Sequence, residues 1–153
     1  MEIDEGRCAI PANDVSQYYN HKLKEAVVQL QCELLDAATT YVDIYSIKYD
    51  LISHAKKYGF EQPLITCCGY GGKFNYDPNF LCSEKVKLHD IETIVGSCED
   101  PSDRVNWDGI HYTQAANHWF FERIIDGSYS DPPIPLEMAC HSEMEMTLLA
   151  QAN

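Results

Sequence analysis

Residues 105–117 read VNWDGIHYTQAAN, which places a carboxylate, Asp108, three residues before an imidazole, His111. A hydrolase with a catalytic triad needs a base that takes the proton of its nucleophile and a carboxylate that holds this base in one tautomer. Two such groups on one tight loop meet both requirements. We therefore predict that Asp108 and His111 are the acid and the base of a triad.

The surrounding sequence tests this reading, because a pattern with two fixed positions also arises by chance. A histidine near aromatic residues is more often a hydrogen-bonded packing residue. Residues 105–117, however, resemble the last sequence block of the plant GDSL esterase/lipase family, which belongs to the SGNH hydrolases. The similarity continues in YVDIYS at 41–46, CCGYGGKFNY at 67–76 and DPPI at 131–134. It covers nearly the whole chain, from about residue 8 to about residue 140.

The resemblance implies an ester hydrolase in which Asp108 and His111 match the triad acid and base. Its substrate would be a small-molecule ester, such as a lipid or an acetylated carbohydrate, and we predict no cofactor and no metal. The family's serine stands in a Gly-Asp-Ser-Leu-like block. No serine of this chain follows Gly-Asp or lies in a Gly-x-Ser-x-Gly elbow, and Ser97 in Gly-Ser-Cys is the nearest imitation. We therefore predict that this chain contains no nucleophile.

The resemblance also implies an α/β fold, since the complete SGNH hydrolase fold is similar to a flavodoxin-like, three-layer α/β/α sandwich with about five parallel strands. The sequence predicts one convincing strand, Thr39–Tyr45, which is β-branched and aromatic and is typical of a buried parallel strand. We expect a single partial domain over residues 1–153, helix-rich with few strands, with an extended tail over about residues 128–153. Its stability should be marginal unless a partner supplies the missing sheet.

A first helix is predicted from about Asp14 to Leu35, because apolar residues recur there at spacings of three and four. Pro11-Ala12-Asn13-Asp14 looks like a block that supplies an oxyanion-binding asparagine. We favour a capping role for Asn13 or Asp14, since such residues commonly accept a hydrogen bond from the first turn of a helix. The apolar stripe consists of Val15, Tyr19, Leu23, Ala26, Val27, Leu30 and Leu34.

Two more helices are predicted further along the chain. One spans residues 46–57 and ends at Gly59, and the other is capped by Thr113 and ends at residues 126–127. The aromatic stripe of this last helix is interpreted as core packing. Between residues 60 and 107 helical periodicity is absent, which predicts a long loop that cysteines fasten. The resemblance implies that this loop lies beside the mouth of the active site.

The cysteines are typical of a protein made in an oxidising compartment. Six of the seven lie in or beside loops: Cys8, Cys67, Cys68, Cys82, Cys98 and Cys140. We predict bridges among the middle four, with the pairing left open, and the resemblance also favours disulfides. A zinc site there is disfavoured because the sequence has no Cys-x-x-Cys or Cys-x-x-His pair. Cys32 lies within the first helix, off its apolar stripe, and is predicted to be an exposed or partly exposed free thiol.

Charge and hydropathy exclude several classes of partner. The formal net charge is −13 and the pI is about 4.6. Nucleic-acid binding is not expected, because gripping phosphates requires Lys and Arg, and anionic membranes are disfavoured likewise. No segment approaches the roughly 20 apolar residues that span a bilayer, so no membrane insertion is expected. The acidic first residues do not read as a secretory signal, although the resemblance implies a secreted, extracellular protein. The oligomeric state stays open.

Three functions are compatible with the sequence. The first is a GDSL-type ester hydrolase, and the second is a catalytically inactive remnant. The third is a carbohydrate-interacting protein, indicated by four aromatic residues of the long loop: Tyr70, Phe74, Tyr76 and Phe80. A nucleophilic serine would separate the first two, whereas sugar binding without hydrolysis would indicate the third.

Overall fold

The computed structural model describes residues 2–88 and 90–138, so Cys140 and the tail from residue 139 lie outside the described part. One compact unit is built from residues 2–49 and 121–138, and the second is Asp50–Phe120. In chain order the elements are α1 (Ile10–Glu33), β1 (Tyr41–Val42), α2 (Ile44–Ser53), β2 (Lys85–Leu88), β3 (Ile91–Ile94), α3 (Gln114–Ile125) and β4 (Ser130–Asp131), with 3₁₀ helices at Ala55–Tyr58, Pro101–Asp103 and Leu136–Met138.

The first helix begins four residues earlier than predicted, at Ile10, and Pro11 lies in its first turn. Proline suits this position because its backbone is already set for a helix and the missing N–H has no partner there in any case. Asn13 and Asp14 consequently lie inside α1, so the predicted capping role is wrong for both. The Asn13 side chain instead donates to Asp4 at 2.8 Å and accepts from the Tyr45 hydroxyl at 2.9 Å.

The apolar stripe of α1 is open to solvent. No residue of this helix is buried, and Val15, Tyr19 and Leu23 are 68%, 64% and 41% exposed. The predicted periodicity is present, but most of the stripe is exposed and only Val27 of its seven residues is half-buried. Although α1 is 24 residues long, neither it nor any other described helix is long and apolar enough to cross a membrane.

The predicted strand Thr39–Tyr45 is reduced to β1, two residues that pair antiparallel with β4. The expectation of a longer, parallel-type strand is wrong because the chain turns at Asp43. This carboxylate accepts hydrogen bonds from the backbone N–H of Ser46 at 2.9 Å and from its hydroxyl at 2.7 Å, which starts α2 immediately. The described part of the predicted tail supplies β4 and the last 3₁₀ helix.

The second predicted helix, residues 46–57, is divided into α2 and the 3₁₀ helix Ala55–Tyr58. It ends at Gly59, as predicted, with φ at 88°, a left-handed conformation that glycine adopts without a steric penalty. Ile47 and Leu51 point from one face of α2 and are both fully buried. These two side chains are therefore core residues.

The predicted long loop contains a β-hairpin that sequence reasoning missed. Strands β2 and β3 pair antiparallel with Lys85 opposite Ile94, and two residues connect them. Asp90 in this connection has φ at 65°, a conformation that two-residue hairpin turns require and that Asp tolerates. The sequence does not indicate this hairpin because β3 is exposed along its whole length and therefore lacks the alternation of buried and exposed residues that marks a strand.

The third helix, α3, is confirmed together with its cap. The Thr113 hydroxyl accepts from Ala116 N–H at 3.1 Å and donates to the Arg104 carbonyl at 2.6 Å. Trp119 and Phe120 are each 8% exposed, which confirms the aromatic stripe as core packing. Overall the described residues form a helix-rich structure with few short strands, as predicted.

Two disulfides staple the second unit, Cys67–Cys98 and Cys68–Cys82. Bridges among these four cysteines are thus confirmed, and so is Cys32 as an exposed free thiol. Cys8 was expected to suit a disulfide, but it is a half-buried thiol without a disulfide partner among the described residues. Burial, followed by the nearby Asp4 carboxylate, raises the pKa of the Cys8 thiol.

We expect Leu51→Ala to lower the free energy of unfolding by about 2–5 kcal/mol, because the truncation leaves a cavity in a packed core. Leu51 is 0% exposed, whereas Leu35 is 86% exposed, which makes Leu35→Ala a control of the same residue type. The control should change stability by less than about 0.5 kcal/mol. Urea denaturation of the two variants measures both values. Equal losses would contradict the assignment of Leu51 to the core.

Candidate active site

The predicted acid and base lie on a tight turn that closes on itself. Asn106 and Tyr112 form a backbone bridge across its base, and Trp107 N–H donates to the His111 carbonyl at 2.9 Å. Gly109 at the tip has φ at 96°, and its N–H donates to the Asn106 side-chain oxygen at 2.8 Å. The turn therefore depends on a glycine at its tip, since residues with a side chain rarely adopt this conformation.

Asp108 holds the turn from inside. Its Oδ1 accepts hydrogen bonds from the N–H groups of Ile110 at 3.0 Å and His111 at 2.8 Å. Its Oδ2 lies 2.7 Å from His111 Nδ1. An ionised carboxylate only accepts, so Nδ1 carries the hydrogen and the lone pair of the neutral ring is on Nε2. The predicted pair is thus brought together in the tautomer that a general base needs.

The electrostatic environment keeps the acid ionised. Burial raises the pKa of the Asp108 carboxyl, but hydrogen bonds from the His111 backbone, the His111 ring and the Ile110 backbone oppose it, and the net pKa lies below its ordinary value. These donors favour the charged form because each donates to the carboxylate. Asp108 is therefore an anion at neutral pH.

The two side chains differ in accessibility. The Asp108 side chain is 19% exposed and the His111 side chain is 71% exposed. The carboxylate is enclosed by its own turn, whereas the ring projects from it. A reacting hydroxyl could approach His111 from outside the turn. Sequence spacing placed the two residues together, but their catalytic roles stay a prediction.

The segment before the turn is bonded to the cysteine pair. Cys67 N–H donates to the Asn106 carbonyl at 3.0 Å, and Cys68 N–H donates to the Trp107 carbonyl at 2.6 Å. Cys98 N–H in turn donates to the Cys67 carbonyl at 2.7 Å. The residues that lead into Asp108 are consequently fixed to both disulfides. No sequence signal showed this link, because it joins segments about 40 residues apart.

A second histidine and aspartate pair lies on α2 and the residue after it. His54 Nδ1 is 2.9 Å from Asp50 Oδ1, and the Tyr58 hydroxyl donates to Asp50 Oδ2 at 2.8 Å. The spacing of four residues along a helical turn brings any such pair together. Sequence analysis gave His54 no role, and this pair offers a matched comparison for the pair at 108 and 111.

The other residues considered from the sequence are distributed differently. Tyr70, Phe74 and Tyr76 are all partly exposed, and the Tyr70 ring packs edge-on against Phe80 at 5.5 Å. The Tyr76 ring faces Gly109 at the tip of the turn. Ser97 forms a backbone bridge with Cys68 instead of a strand-to-helix elbow. Among the described residues, no group of three or more His, Cys, Asp or Glu side chains could hold a metal ion.

Residues 3–124 match the model of the GDSL-like Lipase/Acylhydrolase family. The chain is 53% identical over 150 residues to an esterase of Hevea brasiliensis, covering 97% of this chain and 38% of that protein. It is 51% identical to a GDSL esterase/lipase of Arabidopsis thaliana, with 91% and 37% covered, and 50% identical to one of Zea mays, with 88% and 35% covered. No solved structure matches the chain significantly.

These relatives are much longer than the chain, which spans a little over a third of their length. The family match nevertheless covers α1 through most of α3, including the whole turn that carries Asp108 and His111. The resemblance and the partial α/β fold predicted from the sequence are thereby confirmed. The chain belongs to the GDSL-like lipase/acylhydrolase family.

Proposed function

We propose that this chain contributes the acid and base of a serine ester hydrolase, with Asp108 as the acid and His111 as the base. One observation carries the proposal: Asp108 Oδ2 lies 2.7 Å from Nδ1 of a histidine whose side chain is 71% exposed. This arrangement orients the ring and leaves the lone pair of Nε2 available to accept a proton from a reactant. Membership of a family named for lipases and acylhydrolases supports ester bonds as the target.

The reaction follows from this geometry once a serine hydroxyl from outside these 153 residues approaches Nε2. His111 takes the hydroxyl proton while the serine oxygen attacks the ester carbonyl, and Asp108 stabilises the imidazolium. His111 then gives this proton to the departing alcohol, leaving an acyl-serine. Water, deprotonated by His111, attacks the acyl group, and His111 then returns this proton to the serine oxygen as the carboxylic acid is released. The resemblance implies that the serine amide, a glycine and an asparagine bind the oxyanion.

The substrate class we propose is a small-molecule carboxylic ester. The relatives are named esterase or esterase/lipase, and those names include both short and lipid-like esters. We further propose that the protein works outside the cell. Its two disulfides form and persist in an oxidising compartment, which supports this location.

A chimera tests the proposal. The serine, glycine and asparagine blocks of the Hevea brasiliensis relative are joined to this chain, and hydrolysis of short nitrophenyl esters is measured. We expect hydrolysis that His111→Ala removes by a factor of at least about 10³. The unjoined chain should be no faster than its own His111→Ala variant, because it lacks the nucleophile.

The matched control is His54→Ala, which removes the other imidazole bonded to an aspartate. It should leave hydrolysis by the chimera unchanged, because that ring belongs to the residue between α2 and the following 3₁₀ helix and not to the turn. A folded chimera that hydrolyses no ester would favour the inactive remnant instead. Equal losses in the two histidine variants would refute the role of His111.

A further inference from the structure

The ring of Tyr76 covers the tip of the turn that carries Asp108 and His111. A Cβ atom placed on Gly109 would collide with ring carbons Cδ2 and Cε2 of Tyr76. The ring therefore lies directly against the Gly109 backbone, in the space that any other residue type would fill. Tyr76 is 37% exposed, so this contact is at the surface and beside the site.

The turn needs such a contact. Gly109 has φ at 96° and no side chain, so its backbone can adopt many conformations besides the one seen in the turn. The His111 side chain is 71% exposed, so packing around the ring does not fix its direction. Among the described residues, the shape of the turn and the bond to Asp108 are what orient the ring. A rigid aromatic ring against the glycine restricts the turn at its most adaptable residue.

The loop that carries Tyr76 is itself anchored at both sides. The Cys68–Cys82 disulfide closes it. Thr66 N–H donates to the Phe74 carbonyl at 2.9 Å, and the Asn75 side chain donates to the Thr66 carbonyl at 2.9 Å. Cys68 N–H meanwhile bonds the Trp107 carbonyl at 2.6 Å. The same loop is therefore fixed to the residue before Asp108 and to the residue after it.

We propose that Tyr76 is a positioning residue that holds the turn of Asp108 and His111 in its paired geometry, and that the Cys68–Cys82 disulfide holds Tyr76 in place. The ring contributes packing, not chemistry, since its contact with the turn is made by ring carbons. This inference rests on the proposed function, because positioning matters for catalysis only if the pair is the acid and base. The positioning role of Tyr76 can be tested without measuring ester hydrolysis.

The experiment is nuclear magnetic resonance of the full 153-residue chain. The carboxyl carbon of Asp108 is titrated and the Nδ1 proton of His111 is observed in each variant. In Tyr76→Ala we expect the pKa of Asp108 to shift upward toward its ordinary value, because the bonds from residues 110 and 111 loosen. The Nδ1 proton signal should be lost to exchange with water. Tyr76→Phe should restore both, since it keeps the ring.

The control is Tyr70→Ala, which removes a comparably exposed ring of the same loop. Tyr70 is 38% exposed and contacts Phe80 instead of Gly109. It should leave the pKa of Asp108 and the His111 signal unchanged. If circular dichroism shows that Tyr76→Ala is unfolded, Tyr76→Leu repeats the measurement with apolar volume retained and the flat ring removed, and the same upward shift is expected.

An unchanged Asp108 pKa and an intact His111 signal in folded Tyr76→Ala, or in folded Tyr76→Leu where the alanine variant is unfolded, would overturn the proposal. An equal shift in Tyr70→Ala would also overturn it, because the effect would then be a general loosening of the loop. Both results are independent of hydrolysis by the chimera. If Tyr76→Ala raises the Asp108 pKa but the chimera hydrolyses no ester, the proposed function is wrong and Tyr76 still positions the turn.

Discussion

Asp108→Asn in the chimera should lower kcat for ester hydrolysis by about 10⁴-fold, the loss seen when an aspartate of this kind becomes an amide. The amide group of asparagine donates a hydrogen bond, so it favours the tautomer in which Nδ1 carries the lone pair and Nε2 carries the proton. Nε2 can then no longer accept the proton of a serine. The KM should change little, because Asp108 is enclosed by its turn and faces His111.

Asp50→Asn is the matched comparison, since Asp50 bonds His54 Nδ1 through the same kind of contact. It should leave kcat within a factor of two or so of the parent chimera, because that pair takes no part in the proposed reaction. Rates are measured with a nitrophenyl ester at saturating concentration. Comparable losses in both variants would mean that the effect is one of stability, and the assignment of Asp108 as the acid would fail.

Removing both disulfides should unfold the unit formed by Asp50–Phe120. The bridges close loops with sequence separations of 31 and 14 residues. Each contributes about 3–4 kcal/mol by restricting the unfolded chain. The shorter loop lies within the longer one, so the sum overstates the combined effect, but it still approaches the total stability of a small domain.

Amide hydrogen exchange tests this prediction in a variant with all four disulfide-bonded cysteines replaced by alanine. Amide protection of residues 50–120 should be lost. The control is Cys32→Ala, which removes an exposed thiol from α1 and should leave protection unchanged. Retained protection without the disulfides would show that packing around Leu51 and Trp119 suffices for this unit.

The sequence predicted best those features that depend on near neighbours. Asp108 and His111 meet because they are three positions apart on one turn, and Thr113 caps α3 because its hydroxyl reaches the N–H three residues on. Both contacts need only local backbone geometry. The resemblance to the family blocks predicted the partial α/β fold, and the family match confirmed it.

Features that depend on distant segments were predicted poorly. Residues 39–45 have the composition of a strand, yet only Tyr41–Val42 pair, and their partner β4 comes from a segment much later in the chain. The pairing of the cysteines could not be read from their order, since four cysteines allow three connectivities. The contact of Tyr76 with Gly109 was missed for the same reason: the two residues are brought together by the fold and have no spacing that indicates it.

The short separation of Asp108 and His111 also has a consequence for how the site assembles during folding. Closing a loop of a few residues costs far less entropy than bringing together distant parts of a chain. The acid and base can therefore pair early, as a local event, whereas a serine from another segment can reach them only after long-range folding. Substitutions that touch neither the turn nor Tyr76 should act on the distance between serine and His111 and leave the pair itself assembled.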